Sequence, residues 1–211
     1  MIRVGLTGGI ACGKSTVGEM LARHGAHLLN ADTLAHELYA PGTVVYDEVV
    51  RHFGREILNE DGGINRSRLA SLVFPDRIAE LNAIVHPSVI EAQNEWMTNV
   101  EHKNPRSVAV VEAALLLEAG AQRDFDKVIV VTCTPEQKVE RFSRRVGIAT
   151  ETARAEVQRR TAAQLSDQKK ASYADFVIDN SKSLEETQRQ VDAVWRQLVA
   201  TQAGADSLRM Q

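Results

Sequence analysis

Gly5-Leu6-Thr7-Gly8-Gly9-Ile10-Ala11-Cys12-Gly13-Lys14-Ser15-Thr16 is the stretch that decides the fold. It holds Gly8-x-x-x-x-Gly13-Lys14-Ser15, the spacing of a phosphate-binding loop. The apolar run Ile2 to Leu6 leading into the motif reads as a short buried strand. The run Ser15 to His24 after it, with Val17, Met20 and Leu21 on one face, reads as a helix. Strand, glycine loop and helix therefore come in the order the motif needs. Glycines let the backbone wrap a phosphate with no Cβ in the way, and the loop amides and helix N-terminus supply positive potential. Residues Gly8, Gly9, Ile10, Ala11, Cys12, Gly13, Lys14, Ser15 and Thr16 are the expected nucleotide-binding set. Lys14 would reach the β- and γ-phosphates, and the Ser15 hydroxyl would ligate Mg²⁺. Without the flanking elements, the same residues would be only a glycine-rich turn opening a helix.

Bulk properties narrow the class. A chain of 211 residues is one domain with room for an insertion, and 44% apolar with 25% charged residues is ordinary for a globular protein. A net charge of −3 gives no basic field, so no nucleic-acid partner is expected. No run of about 18 apolar residues exists, so no membrane partner is expected either. The N-terminus lacks a secretory pattern, and the two cysteines, Cys12 and Cys133, have no metal-type spacing. A reducing cytoplasm fits, with a monomer as the starting expectation. Cys12 is either a reactive thiol near a helix N-terminus or a small residue tolerated in a loop. Cys133 ends an apolar strand and reads as core.

Further along, Ala26 to Leu29 reads as a second strand that stops at Asn30-Ala31-Asp32. Asp32 falls at the ligand-binding edge of an open α/β sheet, where a carboxylate could take a proton from an attacking hydroxyl and help hold Mg²⁺. It could equally be a plain helix N-cap. Residues 41–103 read as a mostly helical insertion: a turn at Pro41-Gly42, a helix over Val44 to Phe53, a turn at Asn59 to Gly63, and a helix from Asn65 through Val73. Pro75-Asp76 then opens a long helical stretch that His86-Pro87 is expected to interrupt. Strands return at Ser107 to Val111, Lys127 to Cys133 and Phe176 to Asp179, giving five in all. Thr134 and Ser183 read as helix N-caps, the latter opening a helix that carries Val191, Val194, Trp195 and Leu198. Residues 203–211 show no pattern and read as a frayed tail. The expected fold is α/β, a three-layer arrangement with a mainly parallel five-stranded sheet. Its core comprises residues 1–40, 104–140 and 171–202, with the insertion at 41–103 and a helical lid at 141–170.

Two helices, one after Thr134 and one over about Thr150 to Gln164, crowd Arg141, Arg144, Arg145, Arg154, Arg159 and Arg160 into one region of a slightly acidic chain. They form either a solvated face salted with glutamates or a lid closing on phosphates. The chain has no Asn-Lys-x-Asp segment for guanine, and Val108 to Val111 ends at a single Glu112 rather than an acidic pair. Switch GTPases and motor ATPases are thereby disfavoured. A small-molecule kinase remains, its arginines stabilising charge on the transferred phosphoryl group.

The order and spacing of many segments resemble the dephospho-coenzyme A kinase family across nearly the whole chain. They include Leu6-Thr7-Gly8-Gly9-Ile10, Asn30-Ala31-Asp32, Pro41-Gly42, His52-Phe53-Gly54, Asp61-Gly62-Gly63-Ile64-Asn65-Arg66 and Val73-Phe74. They continue with Ile84-Val85-His86-Pro87, Leu115-Leu116-x-Glu118, Arg141, Arg145, Gln164 and Ala174 to Asn180. The resemblance implies ATP- and Mg²⁺-dependent phosphorylation of the ribose 3′-hydroxyl of dephospho-coenzyme A, within a nucleotide-binding core, a helical substrate domain and a lid. By position it implies Asp32 as the base, Lys14, Arg141 and Arg145 on the phosphates, and Asn180 at the adenine. It places the acceptor near Asp32, Arg66, His86, Pro87 and Leu115. Asn30 stands where the family usually has aspartate, Ala11-Cys12 where Gly-Ser is usual, and Ala114 where proline is frequent. A kinase for another nucleoside or nucleotide, or a nucleotide-dependent binding or regulatory ATPase, are the competing readings.

Overall fold

A computed structural model describes residues 1–74 and 76–209, with side chains through residue 201. The chain forms two compact units, residues 1–29 with the chain from 99 onward, and residues 30–98. Among the described residues there are five strands and nine α-helices, and no helix is long and apolar enough to cross a membrane.

The first unit is built on a sheet. Its strands are β1 (Ile2–Gly8), β2 (His27–Asn30), β3 (Val108–Glu112), β4 (Lys127–Thr132) and β5 (Phe176–Asp179), in the spatial order β2-β3-β1-β4-β5. β1 runs parallel to both neighbours, with Leu6 opposite Glu112 and Gly8 opposite Val131, and β5 runs parallel to β4. Parallel strands covered on both faces need continuous apolar runs rather than alternation. β4 meets that requirement: Ile129 and Val131 enter one core cluster, Val128 and Val130 another.

The first cluster joins Val4, Leu6, Val110 and Ile178 to Val17 and Leu21 of α1 (Lys14–Arg23) and to Val191 and Leu198 of α9 (Leu184–Arg209). Val128 and Val130 pack with Leu116, Leu117, Leu165 and Ala174. α6 (Pro135–Val146) and α7 (Thr150–Ala162) meet through Val139, Phe142, Ala153 and Val157, with Ile10 in the same cluster. α6 opens with the expected cap: the Thr134 side chain accepts from Gln137, whose own side chain answers to the Thr134 backbone. Ser183 likewise accepts from the Glu186 amide at the head of α9. α9 continues through Arg209, over part of the stretch with no apolar pattern; Met210 and Gln211 lie outside the described residues.

The second unit holds α2 (Ala31–Glu37), α3 (Val44–Phe53), a 3₁₀ turn at Arg55–Ile57, α4 (Arg66–Val73) and the first part of α5 (Ile78–Lys103). Val45, Val49, Phe53, Ile57, Leu69, Val73 and Val85 form its core. It begins at Asn30 rather than near residue 41, so α2 belongs to it. The expected opening of a helix at Pro75 lies outside the described residues, and α5 itself starts at Ile78. The expected interruption at His86-Pro87 is absent: α5 is one helix of 26 residues with Pro87 inside it. Proline removes the bond to the carbonyl four residues earlier, that of Ala83. Ala83 and Pro87 are both exposed, so water can take that carbonyl and the helix continues.

Candidate functional site

The loop between β1 and α1 has the backbone its glycines allow. Gly8 has φ 154°, and a Cβ there would stand 2.3 Å from the Val131 carbonyl oxygen. Gly13 has φ 92°, and a Cβ there would stand 2.1 Å from Asn180 Nδ2. Neither position tolerates a side chain. Ala11 also has positive φ, 54°, where a non-glycine residue is strained by roughly 1 kcal/mol.

Lys14 Nζ donates to the Gly8 and Gly9 carbonyls at 3.2 Å each, which folds the side chain back over the loop. Ser15 Oγ donates to Glu112 Oε1 at 2.8 Å. Glu112 is buried at the end of β3, so the sheet register itself brings a carboxylate to the loop serine. Among the described residues no three His, Cys, Asp or Glu side chains cluster as a metal cage.

Cys12 is fully buried in the core beneath the loop, not presented on it. A hydrogen bond with Cys133 draws its thiol down to about 7, helped by the charges of Lys138 and Lys14 and opposed by burial. The same bond pushes Cys133 up. Cys133 is core, as its sequence position suggests.

The arginines of α6 and α7 divide. Arg141 donates to the Cys12 carbonyl at 3.4 Å and the Asn180 carbonyl at 2.8 Å. Arg145 and Arg160 lie over the Phe142 ring at 5.5 and 5.4 Å. Arg144 pairs with Glu140, and Arg159 and Arg160 with Glu156. Among the described residues, Arg141 is the one of these arginines bonded to the phosphate loop. Asn180, only 3% exposed, donates Nδ2 to the Cys12 carbonyl at 2.7 Å and accepts from Thr187 Oγ1 at 2.9 Å. Its side chain is thus committed to holding the loop to α9. Leu115 is 52% exposed on the segment after β3.

In the second unit, Asp32 lies in the first turn of α2 and is exposed. It is not the N-cap. Asn30 is, its Oδ1 accepting from the Thr33 amide at 2.9 Å. Arg66 is exposed at the start of α4, its charge partly offsetting the burial that raises the Tyr39 phenol. His86 and Pro87 are adjacent exposed residues of α5.

The sequence profile described as dephospho-CoA kinase matches residues 2–186. The chain belongs to the dephospho-CoA kinase family. A dephospho-CoA kinase of Streptomyces avermitilis is 43% identical over 94% of this chain and 95% of its own length. One from Aquifex aeolicus is 41% identical over 94% and 98%. Among solved structures, a Thermus thermophilus protein superposes with TM-score 0.79 at 33% identity, covering 93% of this chain and 97% of that one. The dephospho-CoA kinase of Campylobacter jejuni gives 0.67 at 26%, covering 94% and 98%. The small-molecule kinase architecture read from the loop and lid is thereby that of the family.

Glu112, a single acid ending a strand and a candidate in the sequence to compensate for Asn30, is brought beside Ser15 by the strand order. Two residues at the loop escape a reading of the sequence. Lys138 is buried on α6, and Asp167, its partner, opens α8 (Asp167–Ala171). Lys138 stands three residues before Arg141 on the same helix face, which is the one signal that could have found it.

Proposed function

We propose that this chain transfers the γ-phosphoryl group of ATP to the ribose 3′-hydroxyl of dephospho-coenzyme A, giving coenzyme A and ADP. Membership of the dephospho-CoA kinase family over residues 2–186 is the observation that carries the reading.

Phosphoryl transfer asks the protein chiefly for positioning and charge stabilisation. The loop amides around Gly9 to Ser15 and the head of α1 bind the phosphates. Lys14 exchanges its carbonyl partners for β- and γ-phosphate oxygens. Arg141, tied to the loop through Cys12, adds positive charge at the same place, and Arg145 on the next turn of α6 is the second lid candidate. Asp32 accepts the proton of the attacking hydroxyl. Arg66, His86, Pro87 and Leu115 contact the acceptor. Asn180 is the candidate adenine contact; one Nδ2 hydrogen is given to the Cys12 carbonyl, and its backbone N–H and carbonyl are bonded to Thr132 and Arg141.

Ser15 and Glu112 fit a hard cation: a hydroxyl and a buried carboxylate meet there at 2.8 Å. They would hold Mg²⁺, which when bound neutralises phosphate charge. Asn30, already engaged as a cap, leaves Glu112 as the acid of this pair.

The test is ADP release coupled to a reporter reaction, with dephospho-coenzyme A, nucleosides and nucleoside monophosphates as acceptors. Turnover with dephospho-coenzyme A alone supports the reading. Turnover with another nucleoside or nucleotide only would replace it with the neighbouring kinase reading. Slow acceptor-independent ADP release would mean a regulatory ATPase.

A further inference from the structure

Lys138 is 5% exposed on α6, and its ammonium is paired with Asp167 on α8. An ammonium held inside a protein needs a partner, because burial disfavours its charge. Burial pulls Lys138 down, but the hydrogen bond to Asp167, together with the charges of Cys12, Asp167 and Cys133, outweighs it and leaves the ammonium above its ordinary value. The pair lies against the phosphate loop. A Cβ built on Gly9 would stand 2.9 Å from Asp167 Oδ1, 3.0 Å from Lys138 Nζ and 3.2 Å from Cys12 Sγ. The space that a side chain at position 9 would fill is therefore occupied by the ion pair. One turn on, Arg141 holds the Cys12 carbonyl of the same loop. α6 thus reaches the loop at two places with two cations. Asp167 follows α7, so the pair also joins the two ends of the α6–α7 segment to each other.

We propose that Lys138 and Asp167 are positioning residues for nucleotide binding: their ion pair clasps the base of the α6–α7 lid and props the Gly9–Cys12 segment in its phosphate-binding shape. The proposal rests on the ATP-dependent reading above. The pair acts through the loop and makes no contact with the nucleotide. Loosening it lets the loop amides lose their common aim, and misaimed donors lose affinity steeply.

The experiment is calorimetric titration of ATP, in the absence of acceptor, into wild type, Lys138→Met, Asp167→Asn, the double variant and Lys138→Arg. Circular dichroism and cooperative thermal unfolding verify that each is folded. The expected result is an ATP Kd raised about tenfold in each single variant and no further in the double, with Lys138→Arg close to wild type. In steady state the KM for ATP rises alike, while kcat and the KM for dephospho-coenzyme A stay near wild type. Lys138→Met leaves only the partly exposed Asp167 unpaired, so it is the variant that best survives folding. A folded Lys138→Met or Asp167→Asn variant that binds ATP within about twofold of wild type overturns the proposal. So does additive loss in the double variant, which would show two separate structural roles. A wild-type chain that binds no ATP overturns the functional reading, and this proposal with it.

Discussion

Asn180→Ala tests whether this buried asparagine is a tether of the phosphate loop or a reader of the base. The substitution removes two bonds, Nδ2 to the Cys12 carbonyl at 2.7 Å and Oδ1 from Thr187 at 2.9 Å. Neither partner is left orphaned. The Cys12 carbonyl keeps Arg141 at 3.4 Å, and the Thr187 hydroxyl keeps the Ser183 carbonyl at 3.2 Å. The loss is therefore about two net hydrogen bonds, or about 2 kcal/mol. For a chain of this size that corresponds to a fall in Tm of roughly 4–8 °C. Because the loop loses an anchor, ATP and GTP should both bind more weakly, by a similar factor. Urea and thermal unfolding by circular dichroism give the stability, and paired ATP and GTP titrations give the selectivity. Stability within about 0.5 kcal/mol of wild type would refute the tether. So would a much larger loss of affinity for ATP than for GTP, which would mean that the side chain reads the base.

Other substitutions separate the remaining roles. Asp32→Asn should lower turnover by about 10²-fold or more while ATP binding and Tm hold, since a base is lost and the cap of α2 is Asn30; loss of folding would show that Asp32 is structural. Glu112→Gln should raise the Mg²⁺ concentration for half-maximal activity by about tenfold, with ATP binding in EDTA little changed; an unaltered Mg²⁺ dependence would separate Glu112 from the metal. In the second unit, Glu80 is held down at about 2 by a hydrogen bond from Arg77 and then by His52. Its folded pKa lies below the unfolded value, so its stabilisation is present above about pH 4.5 and is lost as pH falls toward 2. Urea midpoints at pH 5 and pH 3 should therefore differ less in Glu80→Gln than in wild type, and equal differences would contradict the assignment.

Much of this architecture is local and so was legible. Gly8 to Ser15 announced the loop because φ values of 154° at Gly8 and 92° at Gly13 exclude other residues. β4 announced a central strand through its β-branched run, and Thr134 and Pro135 marked the head of α6. Long-range pairings carried no such mark. Ser15 with Glu112 and Lys138 with Asp167 are 97 and 29 residues apart, and only the strand order and the return of the chain through α8 bring them together. Pro87 misled because proline is read as a breaker, whereas the carbonyl it frees in α5 faces solvent. Asp32 was ambiguous as a cap because Asn30, two residues earlier, serves as one equally well. Cys12 read as a loop residue because its burial comes from a core cluster drawn from distant parts of the chain, Cys133 just after β4 among them.

The central claim is the position of the new phosphate. Wild-type protein incubated with ATP, Mg²⁺ and dephospho-coenzyme A should yield one product that is heavier by one phosphoryl group. Its ³¹P resonance should correlate with the ribose 3′ proton, with one ADP formed per product. A phosphate at any other position, or no phosphorylated product beside a control enzyme that makes it, would contradict the account.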